Sequence, residues 1–233
     1  MTTTVSAGEG VPSAAPSSFA GLTLDRPRLM AVINATPDSF SDGGEAFAVE
    51  DAVRRGRVFL AEGADILDIG GESTRPGAEP VPVAEEIRRV VPVIEALVAE
   101  GALISVDSRR AEVMRAAVNA GARIINDVSA LQGDGALAAA AELAVPVILM
   151  HMQGEPGTMQ DNPTYSDVVA EVRDGLLARA QACREAGIAA KDIALDPGIG
   201  FGKTVAHNLA LLAHLDSLTA IGHPVVLGVS RKS

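Results

Sequence analysis

The stretch Val147-Ile148-Leu149-Met150-His151 decides the fold. Four consecutive apolar residues with no polar residue alternating among them describe a strand covered on both faces, as in a parallel sheet. A histidine stands where that strand ends. Reading outward, further short apolar or β-branched runs recur at 29–36, 65–70, 103–108, 123–128, 193–198 and 224–230. Between them lie helical stretches such as 49–62, where Val49, Val53, Gly56 and Leu60 repeat at helical spacing, and 206–220, where Leu209, Leu212, Leu215 and Leu218 do so. Gly63, Gly101, Gly121, Gly187 and Gly222 mark the expected left-handed helix stops.

Alternating strands and helices leave a doubly wound open sheet or a (β/α)8 TIM barrel. Ligand residues of an open sheet gather at one switch point, whereas a barrel draws them from the C-terminal ends of many strands. Here every strand ends in polar residues: Asn34, Asp68, Asp107, Asn126 with Asp127, His151, Asp196, and Ser230 with Arg231 and Lys232. The barrel is therefore the predicted architecture.

The 233 residues are 48% hydrophobic and 21% charged, with a net charge of -11 at pH 7, the profile of one compact soluble domain. Asp and Glu total 30 against 19 Lys and Arg, a field that repels nucleic-acid backbones and anionic membranes. No apolar run approaches the roughly 20 residues of a bilayer span, and the first residues lack the basic n-region and apolar h-region expected of a signal peptide. The single cysteine, Cys183, forms no internal disulfide and fits a reducing compartment, so the cytoplasm is the expected location. Residues 1–27, rich in Ser, Thr, Ala, Gly and Pro, read as a disordered tail, which leaves 28–233 as the folded domain.

Three strand-end loops carry the chemistry. Asn34-Ala-Thr-Pro-Asp-Ser-Phe-Ser-Asp-Gly-Gly44 has the length and glycines of a mobile cover. Gly70-Gly-Glu-Ser-Thr-Arg-Pro-Gly77 combines close-approach glycines, two hydroxyls and a guanidinium, which suit an anionic ligand. Asp196-Pro-Gly-Ile-Gly-Phe-Gly-Lys203 is glycine-rich but lacks the spacing of a nucleotide-binding P-loop. Asp107, Asn126 and Asp196 end three different strands, and in a barrel those ends converge. Two carboxylates and an amide make a receptor for a flat heterocycle bearing amino and ring N–H groups. The chain has only three lysines, Lys191, Lys203 and Lys232, of which Lys203 closes the last of these loops and Lys232 follows the last strand run. His151, His207, His214 and His223 lack zinc-site spacing, and Cys183 reads as a packing thiol.

Taken in order, the segments 34–44, 64–78, 104–107, 124–128, 151–160 and 196–203, closed by 230–233, resemble the dihydropteroate synthases, transferases of folate biosynthesis. The resemblance runs from about Leu29 to Ser233. It implies a (β/α)8 barrel that joins 6-hydroxymethyl-7,8-dihydropterin diphosphate to 4-aminobenzoate, with Mg2+ assisting departure of diphosphate. By the family pattern Asp107, Asn126, Asp196 and Lys232 bind the pterin. Thr74, Pro76, Phe201 and Ser233 frame aminobenzoate. Asn34 helps hold the metal and diphosphate, and Asp42 and Arg75 complete the catalytic site with Lys232. Ala35 stands where the family usually has valine.

The partners implied are these small molecules, with neither nucleic acid nor membrane, and a homodimer for the complete protein. With the tail set aside, the remaining residues fall short of the about 250 of a complete barrel. The expectation is thus a chain holding seven of eight strands, without the family's Arg-x-His diphosphate grip. Two alternatives stay open: a pterin-binding methyltransferase domain on the same barrel, and a non-catalytic paralogue or inactive fragment.

Overall fold

The computed structural model describes residues 16–35, 44–73, 81–154 and 157–229, with helix residues 44–47 described by their backbone. Ser18–Phe19 (β1) and Leu22–Thr23 (β2) form a small antiparallel hairpin. Six parallel strands follow, paired in chain order: Met30–Asn34 (β3), Ile66–Gly70 (β4), Ile104–Asp107 (β5), Ile124–Asp127 (β6), Val147–Met150 (β7) and Ile193–Asp196 (β8). The helices between them are Gly44–Ala61 (α1), Val83–Ala99 (α2), Ala111–Asn119 (α3), Ala136–Leu143 (α4) and Val168–Glu185 (α5), with Val205–Ala213 (α6) and Leu215–Thr219 (α7) after β8. All five glycines marked as helix stops have positive φ. The run at 224–230 joins the sheet through one parallel bridge, Leu195 to Val225, with Leu195 N–H donating to Pro224 O and Val226 N–H to Leu195 O, both at 2.9 Å.

Side-chain alternation separates a barrel from a doubly wound sheet. Leu67, Ile69, Ile104, Val106, Ile125, Val147, Leu149, Ile193 and Leu195 share one core with helix residues such as Val90, Ile94, Leu97 and Val113. Their neighbours in sequence, Ile66, Ile124, Ile148 and Ala194, form a second cluster around Phe19. Only one face of the sheet is covered by helices. On the other face the smaller cluster gathers, as side chains do in the interior of a barrel.

The interior also corrects the reading of 1–27 as a tail in the part that is described, residues 16–27. Phe19 is buried against residues from the N-terminal ends of β4, β6, β7 and β8 and stoppers that end of the barrel. Asp65 fastens the hairpin from outside: Arg26 donates to it at 2.6 and 2.9 Å, Arg28 at 3.2 Å and the Leu29 N–H at 2.9 Å. These donors hold its carboxyl down at about 2.

A second difference concerns 206–220, which breaks at His214 into α6 and α7. Leucines three apart fall behind a 3.6-residue turn, so nine residues rotate the pattern by about half a turn. Leu209 is accordingly 61% exposed while Leu218 is 1% exposed.

Candidate active site

The strand register brings the inward polar residues into rows. Asn34 pairs with Gly70, Gly70 with Asp107, and Asp107 with Asn126, so one row crosses four strands at the C-terminal end of the sheet. Gly70 leaves room between its neighbours: a Cβ there would lie 3.6 Å from Asp107 Oδ2 and 3.9 Å from Asn34 Oδ1. Asp196 ends β8 beside Met150. Asp107, Asn126 and Asp196 are partly exposed toward the mouth, whereas Asp68 and Ser105, one row deeper, are 2% and 0% exposed.

Burial dominates the electrostatics. It raises Asp107 well above the ordinary carboxylate range, and Asp68, Asp127, Glu86 and Glu72 raise it further by repulsion. Asp68 is raised by burial against the opposing effect of the Ser105 hydroxyl and the Asn126 amide. Asn126 Nδ2 donates to Asp68 Oδ2 at 3.0 Å, while Asp68 Oδ1 and Ser105 Oγ complete no hydrogen bond. Asp196 is pushed up to about 6 by burial, although it accepts from the Gly198 N–H at 2.7 Å. Among the described residues the row thus presents acceptors with little cationic compensation, a setting that favours a donor-rich ligand.

The loop after β8 is shaped by glycines packed against backbone. Gly198, with φ +64°, would place a Cβ 2.0 Å from His151 O, and Gly202, with φ +61°, one 2.4 Å from Gln153 O. Its Phe201 is half-buried, with its N–H bonded to Gly198 O at 3.1 Å. The Lys203 ammonium, at 3% exposure, donates to Phe201 O at 2.9 Å and His151 O at 3.1 Å, tying the loops after β7 and β8 together.

Of the sequence-predicted site residues, the structure brings Asn34, Asp107 and Asn126 into one row, with Asp196 and Phe201 on β8 and its loop. Asp42, Thr74, Arg75, Pro76, Lys232 and Ser233 lie outside the described residues. Asp127, named with Asn126 as a strand-end polar residue, turns away to accept from Ser129 N–H at 2.7 Å and Leu131 N–H at 2.9 Å. Cys183 is buried and its thiol is pushed up to about 11, consistent with packing. Sequence reasoning missed the support beneath the second loop: Arg110 bridges Glu72 at 3.0 Å and Glu86 at 2.9 Å, and Arg89 donates to Gly71 O at 3.1 Å. The pairs are visible in the sequence only as scattered charges, because the contacts span loops from different strands.

Comparison with known proteins defines the class first. Residues 30–233 match the family of pterin binding enzymes. The dihydropteroate synthase of Escherichia coli (strain K12) is 49% identical over 213 residues, a match that covers 91% of this chain and 76% of the relative. The structure of the Xanthomonas albilineans dihydropteroate synthase with 4-aminobenzoic acid superposes with a TM-score of 0.85 at 58% identity, covering 91% of this chain and 76% of that one. The Xanthomonas enzyme in complex with 7,8-dihydropteroate gives 0.81 at 55% identity, with coverage of 91% and 75%. The chain belongs to the dihydropteroate synthase family of transferases, and its fold is a (β/α)8 barrel.

Proposed function

We propose that the chain joins 6-hydroxymethyl-7,8-dihydropterin diphosphate to 4-aminobenzoate, with the row Asn34, Asp107 and Asn126 together with Asp196 as the pterin end of the site. The observation that carries this reading is the convergence of Asp107, Asn126 and Asp196 as partly exposed acceptors above a buried polar floor. A pterin ring offers amino and ring N–H donors along one edge. Acceptors held in a poorly solvated pocket recognise that pattern and counter positive charge that develops on the ring as diphosphate leaves. The amine nitrogen of aminobenzoate forms the new bond to the pterin methylene carbon. The carbon–oxygen bond breaks with its electron pair going to diphosphate, and the nitrogen sheds one proton.

Asn34 is exposed at the C-terminal end of β3, and its amide oxygen is the kind of single hard donor that suits Mg2+ held chiefly by substrate phosphates and water. When bound, Mg2+ supplies charge neutralisation to the departing diphosphate. Phe201 forms part of the aminobenzoate wall with Thr74, Pro76 and Ser233, while Asp42, Arg75 and Lys232 complete the catalytic set by family resemblance. Cytoplasmic location and homodimer assembly complete the reading; among the described residues no helix is long and apolar enough to cross a membrane.

The test is diphosphate release by the purified chain with pterin diphosphate, Mg2+ and aminobenzoate, each omitted in turn. Release that requires all three is expected. Pterin binding without release would overturn the catalytic reading.

A further inference from the structure

We propose that Asp68 is a positioning residue that sets the hydrogen-bonding polarity of the pterin site by fixing the side-chain amide of Asn126. The proposal rests on the reading above that Asn126 meets the pterin. Asn126 Nδ2 donates to Asp68 Oδ2 at 3.0 Å. An ionised carboxylate can only accept, and a protonated one with its hydrogen on Oδ1 still accepts at Oδ2. Either way the nitrogen end of the amide is drawn to Asp68, and the oxygen end is turned away from it. Asn126 then joins Asp107 and Asp196 in presenting oxygen to the mouth. Turned the other way, the same amide would set a donor against the N–H groups of the ligand, and the site would lose its acceptor pattern.

The placement of Asp68 supports this role. At 2% exposure it sits one row below Gly70 and Asp107, paired in register with Val32 and Ser105. No ion pair to Asp68 occurs among the described residues. Among the described residues its other oxygen, Oδ1, completes no hydrogen bond, nor does the nearby Ser105 Oγ. A buried carboxylate that meets no cation among the described residues draws from them no packing that an apolar side chain of similar shape would not supply. Among the described residues its side-chain hydrogen bond is to the amide of Asn126, and the Ser105 hydroxyl beside it is a second polar influence on the carboxyl.

Asp68→Asn is the informative substitution, because its amide can accept from or donate to Asn126 and so removes the orientational preference at constant shape. The expected result is a rise of about tenfold in Kd and KM for 6-hydroxymethyl-7,8-dihydropterin diphosphate. The KM for 4-aminobenzoate should stay near wild type, and the melting temperature should not fall. The cycle with Asn126→Ala separates the routes. If Asp68 acts through Asn126, D68N has no further effect on pterin affinity in the N126A background.

An undiminished D68N effect in that background would overturn the proposal, as would wild-type pterin affinity in D68N alone. Wild-type affinity in N126A itself would instead remove the Asn126 contact on which both readings stand. Should D68N fail to fold, D68S, which removes the charge with less bulk, is read through the same cycle.

Discussion

Lys203 Nζ lies 3.2 Å from His151 Nδ1, a buried amine facing an imidazole, and among the described residues no carboxylate forms an ion pair with it. Burial lowers Lys203 to about 7 against the opposing pull of Asp196, and burial with the Lys203 charge lowers His151 to about 4. The imidazole is therefore neutral at pH 7, and wherever Lys203 carries its third proton Nδ1 can accept from it, with the ring proton on Nε2.

A depressed amine pKa means that the folded chain holds fewer protons than the unfolded one between the two values. For Lys203 the window runs from about 7 to the ordinary 10.5, and stability rises with pH across it. Lys203→Met should flatten that rise, read as melting temperature against pH. Because the staple between the loops is also lost, the KM for aminobenzoate should increase. Parallel pH curves for wild type and variant would refute the assignment.

Asp196 has the opposite sign. Its pKa is raised from 3.8 to about 6, so the folded chain holds the extra proton and stability falls as pH rises through that window. Asp196→Asn is expected to melt higher than wild type at pH 7, with the difference vanishing below pH 4. Calorimetry with the pterin substrate should show affinity lower by about tenfold or more. Unchanged affinity would remove Asp196 from the site.

Gly202→Ala should damage the site more than the fold. The left-handed backbone costs a side chain about 1–2 kcal/mol, and the new methyl would meet the Gln153 backbone rather than a movable side chain. A higher KM for aminobenzoate with circular dichroism near wild type is the expected outcome. Wild-type kinetics would show that the loop can shift without consequence.

Asp65 predicts a change confined to the other end of the barrel. Its pKa of about 2, set first by Arg26, means its stabilisation is present above 3.8 and disappears as pH falls through about 2. Asp65→Asn should lower the melting temperature at neutral pH, with the gap closing on acidification, while both KM values hold. A gap that persists at pH 2 would argue against the ion pairs as its source.

Much of this was legible because barrel strands buried on both faces leave short apolar runs, and because inward polar residues at their ends have nowhere to be but the mouth. Asp107, Asn126 and Asp196 could be named for that reason. The hairpin was hidden by its composition: Phe19, Leu22 and Leu24 are few among small residues, and the turn at Ala20 and Gly21, with φ of 51° and 84°, is the only local cue. The roles of Asp68 and Lys203 depend on register and on loops meeting across strands, which periodicity along one strand does not encode. The leucine series from Leu209 to Leu218 misled because a three-residue step drifts around the helix.

The Phe19 stopper gives the molecule two unlike poles. Roughly 15 Å of strand separates the sealed pole from the row of Asn34, Asp107 and Asn126. A dye, a biosensor surface or a fusion partner joined at the sealed pole therefore leaves the opposite one unobstructed, and this is where a handle belongs.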